Sequence, residues 1–293
     1  MPPVKSRTVL PPWSYFIGSA VFHYLGPAFA VLLFARVQPL GVAGLRIWSA
    51  ALVFALWRRP WRRLPQLDAA GRRTIIIWGA VLALMNAFFY LAIARLPLGT
   101  VAAIEFLPVI ALAAFGARTG RNIAALAAAA GGVYVLADVR LAGAPLGFAF
   151  AFANAVLFAA YIVVAHRAAR NLGGAAIDGL AAAMIIACCF VIPLGLWQSA
   201  PALADPVALA AGVGVGISSS VIPYVCDQLA MARMSRSTYA LLVALLPATA
   251  TVIGVVVLGQ LPTVTELAGV GLVVLAVALH HETSRGAEQL ETT

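Results

Sequence analysis

Charged residues are scarce in this chain. Of its 293 residues, only 10% are Asp, Glu, Lys or Arg, while 63% are hydrophobic. A soluble protein of this length carries about 25% charged residues. Too few polar side chains therefore remain to cover a surface in water, and apolar runs long enough to cross a bilayer recur along the whole chain. The composition excludes an ordinary soluble fold and predicts an all-α polytopic membrane protein embedded in the lipid bilayer.

The sequence also lacks the motifs of several function classes. Its three cysteines, Cys188, Cys189 and Cys226, all lie in apolar runs, where we interpret them as packing residues rather than a disulfide or metal set. No P-loop, HExxH or GxSxG is present, and the four histidines are scattered. The glycine-rich run Gly212–Gly216 has no preceding strand and is interpreted as a close helix contact. We therefore expect no enzyme activity, no cofactor and no bound metal.

The apolar runs predict ten transmembrane helices, each close to the roughly 20 residues that a bilayer requires. The predicted spans are residues 13–34, 39–57, 74–94, 98–117, 122–138, 145–165, 174–198, 207–232, 237–258 and 265–281.

The basic residues predict the orientation of these spans. The net charge of +9 could suggest nucleic acid as a partner, but the Lys and Arg residues lie in the short gaps between spans. Counted on alternating sides, 15 fall on one side and three on the other, which places both termini in the cytoplasm by the positive-inside rule. We therefore do not expect nucleic-acid binding. The minority side has Arg36, Arg95 and Arg140.

The chain contains a weak internal repeat. Phe88–Thr100 aligns without gaps with Cys226–Thr238, and with one gap Pro108 then falls on Pro247. The spacing is close to half the chain, and five spans in each half force the second copy to enter from the opposite face. This pattern predicts an inverted-topology repeat, an architecture of secondary transporters that bind substrate between the halves. The predicted units are residues 1–141 and residues 142–293, the second with a short cytoplasmic tail.

Two ionisable residues lie deep in predicted spans. Arg46 and Glu105 are each about seven residues from the outer end of their span, or roughly 10 Å deep, so we expect the two charges in the same layer. Two interpretations remain open: a structural ion pair, or a cavity that binds a substrate or proton. A zwitterion such as an amino acid would suit the pair, with its carboxylate on Arg46 and its ammonium on Glu105.

Proline residues accompany the acidic positions. Pro108 removes a helix hydrogen bond and clashes with the carbonyl of Ile104, next to Glu105, so it predicts either a break lining a cavity or a simple kink. Asp227, four residues after Pro223, is either a proton site or an acid that reaches the interface. Pro247 is a third predicted break. Neutral or titratable candidates for the same cavity are His23, Asn86, Tyr90, Asn154, Tyr161, Tyr224 and Tyr239.

Five ordered segments resemble a known family. They are GVAGLR (Gly41–Arg46), MNAFFYLAIARLPLGTVAAIEF (Met85–Phe106), AYIVVAHRA (Ala160–Ala168), SSSVIPY (Ser218–Tyr224) and ARMSRSTYALLVALLP (Ala232–Pro247). The sequence resembles an EamA-type carrier of the drug/metabolite transporter superfamily, in particular its threonine/homoserine exporter branch. The resemblance implies ten helices in two inverted five-helix repeats, a multi-pass protein of the bacterial cytoplasmic (inner) membrane, and a monomer or weak dimer.

The resemblance also implies a function and site residues. Arg46, Asn86 and Glu105 match polar positions of the family's first half, whereas the family's second-half acids are replaced here by Leu246 and Gln260. The implied function is export of small amino acids or related metabolites, with protons as the coupling partner. The alternatives are an EamA-type carrier for a different metabolite or drug, and a passive facilitator.

Overall fold

The computed structural model describes residues 11–62, 65, 67–108, 119–140, 144–171, 176–231 and 245–281, and every extended regular element in those ranges is a helix. The all-α prediction is confirmed. The helices are α1 (Pro12–Leu33), α2 (Pro39–Arg58), α3 (Ala69–Ile93), α4 (Leu98–Glu105), α5 (Gly120–Arg140), α6 (Pro145–Asn171), α7 (Ala176–Ala204), α8 (Pro206–Gly216), a π-helical segment (Ile217–Val221), α9 (Ile222–Met231), α10 (Leu246–Leu258) and α11 (Val264–His281), with a short 3₁₀ turn at Pro60–Arg62.

Proline and aspartate residues determine where several helices begin. Pro39 and Pro206 occupy the first turn of α2 and α8, where the missing N–H costs nothing. Asp68 caps α3 by accepting a hydrogen bond from the Gly71 N–H at 2.7 Å, so α3 begins at Ala69. The predicted start at residue 74 was too late. Hydropathy marks only the apolar part of a helix, and α3, α6 and α7 all continue beyond it.

The helix order agrees with a ten-span membrane protein. Among the residues that the structure describes, five helices are long and apolar enough to cross a bilayer, and a bent pair within α7 would make a sixth. Shorter apolar helices lie at Gly120–Leu136, Leu246–Leu258 and Val264–Leu279. The eighth predicted span is α8, the π-helical segment and α9 in succession. The predicted remainder of span 4 (109–117) and the start of span 9 (237–244) lie outside the described residues.

Helix contacts are symmetric between the two halves of the chain. α2 packs on α7, α4 on α10, and α5 on α11. α3 packs on α6 and α7, and the α8–α9 segment packs in the same way on α1 and α2. α6 contacts α4 as α1 contacts α10. Exchanging the five N-terminal spans for the five C-terminal spans reproduces this contact set, as two inverted repeats require. The boundary at residues 141 and 142 stays a prediction.

Polar contacts hold both ends of the α2–α7 seam. At one end, Arg58 forms an ion pair with the buried Asp178 at 2.7 Å. At the other, the Leu40 N–H donates to Gln198 Oε1 at 3.2 Å. Each contact joins an N-terminal helix to a C-terminal one. Polar bonds therefore connect the two halves of the chain at both ends of this helix pair.

An exposed ion pair joins the α1–α2 loop to the start of α8. Arg36 donates to Asp205 at 2.8 Å, and Asp205 also accepts from the Val207 and Ala208 N–H groups as a helix cap. The hydrogen bond from Arg36 lowers the pKa of the Asp205 carboxyl below its ordinary value. An exposed pair of this kind contributes little to stability, so its main effect is to orient the loop.

Glycine permits the close contact between α5 and α11. A Cβ on Gly132 would lie 2.7 Å from the carbonyl oxygen of Gly269, and a Cβ on Gly269 would lie 2.9 Å from that of Gly132. In a membrane, where lipid competes with apolar side chains, such small residues let helix backbones pack directly. The neighbouring Gly131 has open space where its Cβ would be.

The adjacent glycines provide a matched test of this contact. We expect Gly132→Ala to destabilise the protein by about 1–3 kcal/mol, because the new methyl group forces α5 and α11 apart. Gly131→Ala should be neutral or slightly stabilising, because alanine favours helix more than glycine does. Thermal unfolding of the detergent-purified protein measures both. Equal midpoints for the two variants would contradict the close contact.

Candidate functional site

A small cavity lies between helices from both halves of the chain. Its volume is about 40 Å³, which is the space of one or two water molecules. Its lining contains both charges that the sequence places deep in the membrane. The lining residues are His23, Pro27, Arg46, Met85, Asn86, Phe89, Glu105, Asn154, Phe158, Tyr161 and Tyr224.

The guanidinium of Arg46 is buried and bound to the second half of the chain. The side chain is only 6% exposed. Its Nε donates to Ser220 Oγ at 2.9 Å, and its Nη2 donates to the Ser219 carbonyl oxygen at 3.0 Å. The guanidinium carbon also lies 5.6 Å from the centre of the Tyr90 ring, within cation–π range. Arg46 thus joins α2 to the π-helical segment through neutral partners.

Pro223 explains why the Ser219 carbonyl is available to Arg46. Proline has no N–H, so the carbonyl four residues earlier, that of Ser219, loses its usual helix partner. The backbone here forms a π-helical turn, in which the Ile222 N–H bonds to the Ile217 carbonyl instead. π-Helical turns occur frequently at functional sites. The Ser219 carbonyl accepts a hydrogen bond from Arg46.

Small residues bring the π-helical segment close to α1 and α2. A Cβ on Gly216 would lie 2.6 Å from the Arg46 carbonyl oxygen, and one on Gly212 would lie 2.6 Å from the Leu45 side chain. A Cβ on Gly26 of α1 would lie 2.9 Å from the Ser219 Cα. The glycine run interpreted from sequence as a helix contact does pack closely on α2.

The carboxyl group of Glu105 is held in a similar way. Glu105 is 5% exposed and ends α4. It accepts a hydrogen bond from Asn154 Nδ2 of α6 at 3.1 Å. Asn154 is fully buried, and its other polar atom, Oδ1, has no hydrogen-bond partner. A second-half helix therefore supplies a neutral partner to this charge as well.

Arg46 and Glu105 line one cavity without forming an ion pair. Among the described residues, the ion pairs within 4.0 Å are Arg36 with Asp205 and Arg58 with Asp178. A cation and an anion thus face a shared space, each bonded to a neutral group. This arrangement can bind a small molecule that carries both charges.

The structure places most of the other predicted site residues at or near this cavity. Asn86 is buried and donates to the Leu82 carbonyl of its own helix at 2.8 Å. His23 packs edge-on to Tyr24, with 5.1 Å between ring centres. Tyr90 lies next to the Arg46 guanidinium but not on the cavity wall. His23, Asn86, Tyr161 and Tyr224 are part of the lining.

The remaining predictions fall at helix ends or outside the described residues. Asp227 lies on α9, but its side chain is not described, and neither is Tyr239. Pro108 follows the end of α4 by three residues, with a turn at Phe106. Pro247 is in the first turn of α10. Their roles as helix breaks stay predictions.

Sequence reasoning missed the partners of Arg46. Ser219 and Ser220 were not chosen as site residues, although a signal for one of them was present. The rule that assigns Ile104 as the carbonyl freed by Pro108 assigns Ser219 to Pro223. The π-helical turn that turns the Ser220 hydroxyl toward Arg46 has no comparable signal.

The fork-shaped contact of Arg46 generates a stability prediction. We expect Arg46→Lys to lower the free energy of unfolding by about 1–3 kcal/mol, because an ammonium cannot reproduce the two guanidinium hydrogen bonds and the ring contact. Arg95→Lys is the control, since Arg95 is exposed, lies after α3 and has a ring contact with Phe150 but only one side-chain hydrogen bond, to the Leu91 carbonyl. Thermal unfolding in detergent measures both. Equal loss in the two variants would argue against the Arg46 contacts.

The sequence is similar to those of known membrane transporters. The EamA-like transporter family model matches residues 145–280. The chain is 30% identical over 256 residues to the threonine/homoserine exporter RhtA of Escherichia coli (strain K12), covering 86% of this chain and 84% of that protein. It is 29% identical over 258 residues, with the same coverage, to the exporter of the same name from Salmonella typhimurium (strain SL1344).

A solved crystal structure of another protein supports the fold. It aligns with 93% of this chain and 99% of its own, with a TM-score of 0.58 and 21% sequence identity. At this identity the likeness concerns the fold alone. Together with the sequence relatives, these findings make the chain a multi-pass membrane protein and a transporter of small metabolites rather than an enzyme. The chain belongs to the EamA-like transporter family, in its threonine/homoserine exporter branch.

Proposed function

We propose that this protein exports small amino acids similar to threonine and homoserine from the cytoplasm across the bacterial inner membrane, driven by inward proton flow. The observation that carries the proposal is the cavity shared by Arg46 and Glu105, which line it without forming an ion pair with each other. The curated relatives named as threonine/homoserine exporters support the substrate class.

An amino acid is complementary to this pair of charges. A substrate carboxylate can bind the planar guanidinium of Arg46 through two hydrogen bonds, and an ammonium can bind Glu105. The existing partners of both residues are neutral, so a charged substrate group offers a stronger interaction than the group that it replaces. An apolar molecule would leave both charges without such a gain.

The cavity must expand to accept such a substrate. At about 40 Å³ it holds little more than water, so an amino acid can enter only when helices around it separate. Because the hydrogen bonds of Arg46 and Glu105 cross between N-terminal and C-terminal helices, separation and substrate binding affect the same contacts. In alternating access, one repeat moves against the other around a site that lies between them. The same movement would therefore open this cavity and change the hydrogen bonds of Arg46 and Glu105.

Glu105 is the proposed proton carrier. It is the carboxylate in the described cavity lining, and a proton that enters from outside would neutralise it. A neutral carboxyl no longer attracts an ammonium, so protonation favours release of the substrate outside. The orientation is the one with both termini cytoplasmic, and alternating access would open the site to each side of the membrane in turn. That orientation and the monomer or weak-dimer state remain predictions.

Proteoliposomes test the proton role. We expect Glu105→Gln to lower transport of threonine and homoserine driven by a pH gradient by at least about 10-fold, because the amide cannot carry a proton or a negative charge. Asp205→Asn makes the same chemical change at an exposed acid outside the cavity and should retain transport. Unchanged pH-driven flux in Glu105→Gln would rule out this role.

A growth-inhibition panel tests the substrate class. Cells overexpressing the protein are challenged with toxic levels of homoserine, threonine, other amino acids and common drugs. The proposal expects resistance to homoserine and threonine, lost in Glu105→Gln and retained in Asp205→Asn. Resistance to drugs alone would favour a carrier for other compounds. Non-saturating flux that is indifferent to pH would favour a passive facilitator.

A further inference from the structure

Among the described residues that line the cavity, Asn154 has a buried polar atom without a hydrogen-bond partner. The side chain is fully buried on α6 and lines the cavity. Its Nδ2 donates to Glu105 Oε1 at 3.1 Å, while its Oδ1 has no partner. A buried amide oxygen without a hydrogen bond is costly. Such an atom at a binding cavity indicates a group that is supplied by the ligand.

The ionised Glu105 determines which way the Asn154 amide faces. A carboxylate can only accept hydrogen bonds, so the NH₂ end of the amide must point toward it. The oxygen end then points away from Glu105 and remains an acceptor. Glu105 and Asn154 together therefore offer two acceptors next to one another.

We propose that Asn154 Oδ1 and Glu105 form a shared site for the ammonium group of the substrate, and that the protonation state of Glu105 sets the direction of the amide. This inference rests on the proposed function, because it specifies how the same cavity recognises its amino acid. An ammonium has three donors and no acceptor. A single carboxylate and a neighbouring amide oxygen can satisfy two of them.

One proton removes the negative charge of Glu105 and redirects the Asn154 oxygen. When Glu105 takes up a proton, its O–H becomes a donor, and rotation of the amide lets Asn154 Oδ1 accept from it. The NH₂ end then faces the cavity and presents donors to an ammonium that also has only donors. One proton bound at Glu105 therefore accompanies one ammonium released, with no other covalent bond made or broken. Because Asn154 also turns its oxygen away from the cavity, we expect protonation to lower the affinity for an ammonium more than loss of the Glu105 charge would by itself.

The other titratable groups near Glu105 come from the elements packed around the cavity. The lining contributes Arg46 from α2, His23 from α1, Tyr161 from α6 and Tyr224 from α9. Buried tyrosines stand nearby on α1 and α3. On α11, Glu266 bonds to the Thr263 N–H at its own helix start, and the α10 segment Leu246–Leu258 has no titratable side chain. The nearby tyrosines are Tyr24 and Tyr90.

Binding measurements on the purified protein in nanodiscs test this site, with threonine and homoserine as the probes. We expect Asn154→Leu to weaken binding roughly 10- to 100-fold at alkaline pH, the range for loss of a hydrogen bond to a charged group. The deficit should shrink toward acidic pH, where the Asn154 oxygen of the wild type is already occupied by protonated Glu105. Asn154→Gln keeps both the donor and the acceptor of the amide and should regain most of the alkaline affinity.

Ser199→Ala is the control, because Ser199 is a buried polar residue of α7 that bonds to the Leu196 carbonyl and lies outside the cavity. It should bind as the wild type does. A deficit in Asn154→Leu that is absent, or equal at every pH, would overturn the inference. If Asn154→Leu fails to fold, Asn154→Gln decides alone: affinity lost at alkaline pH would overturn it. Failure of the wild type to bind any amino acid would instead reject the proposed function first.

Discussion

A buried guanidinium cannot be neutralised, and the arrangement around Arg46 follows from that constraint. Arginine at the centre of a membrane helix costs at least about 2.5–3.5 kcal/mol on insertion scales, so it must find partners. Pro223 cannot give the Ser219 carbonyl its usual α-helical hydrogen bond, and the π-helical turn presents the Ser220 hydroxyl beside it. Glycines at 212 and 216 let α8 approach α2 closely enough for these bonds to form. One charge thus explains the glycine run, the helix irregularity and a contact between the two halves.

The helix contacts are symmetric, but the chemistry in the cavity is not. The N-terminal spans supply both charges, Arg46 and Glu105, whereas the C-terminal spans supply neutral partners, Ser219, Ser220 and Asn154. The position before Pro247 carries a leucine. A repeat fold can therefore retain its architecture while one copy takes over binding of the charged groups. The other copy supplies neutral groups whose hydrogen bonds to Arg46 and Glu105 a charged substrate group can replace.

Local pattern and depth were enough to predict much of the fold and part of the site. Apolar runs located the helices, and counting residues from the span ends placed Arg46 and Glu105 in one layer, which their shared cavity agrees with. The start of α3 was predicted too late because its first turn is polar and is stabilised by the Asp68 cap rather than by hydropathy. The choice of Asn154 as the partner of Glu105 depends on helix rotation and packing angle, which one sequence does not encode locally.

Substrate binding under the proposed function has a cost on span 8 that the geometry identifies. A substrate carboxylate that takes over the Nη2 hydrogen bond of Arg46 displaces the Ser219 carbonyl, and that oxygen cannot form the usual α-helical hydrogen bond because residue 223 is proline. It must therefore accept from another backbone N–H, from water, from the substrate or from a repositioned side chain, since an unpaired buried carbonyl is expensive. A change of hydrogen-bond partners at Arg46 then shifts the π-helical segment. The close contacts at Gly26 and Gly216 transmit this shift to α1 and α2. Substrate binding at Arg46 and movement of the neighbouring helices are thus coupled at the π-helical turn.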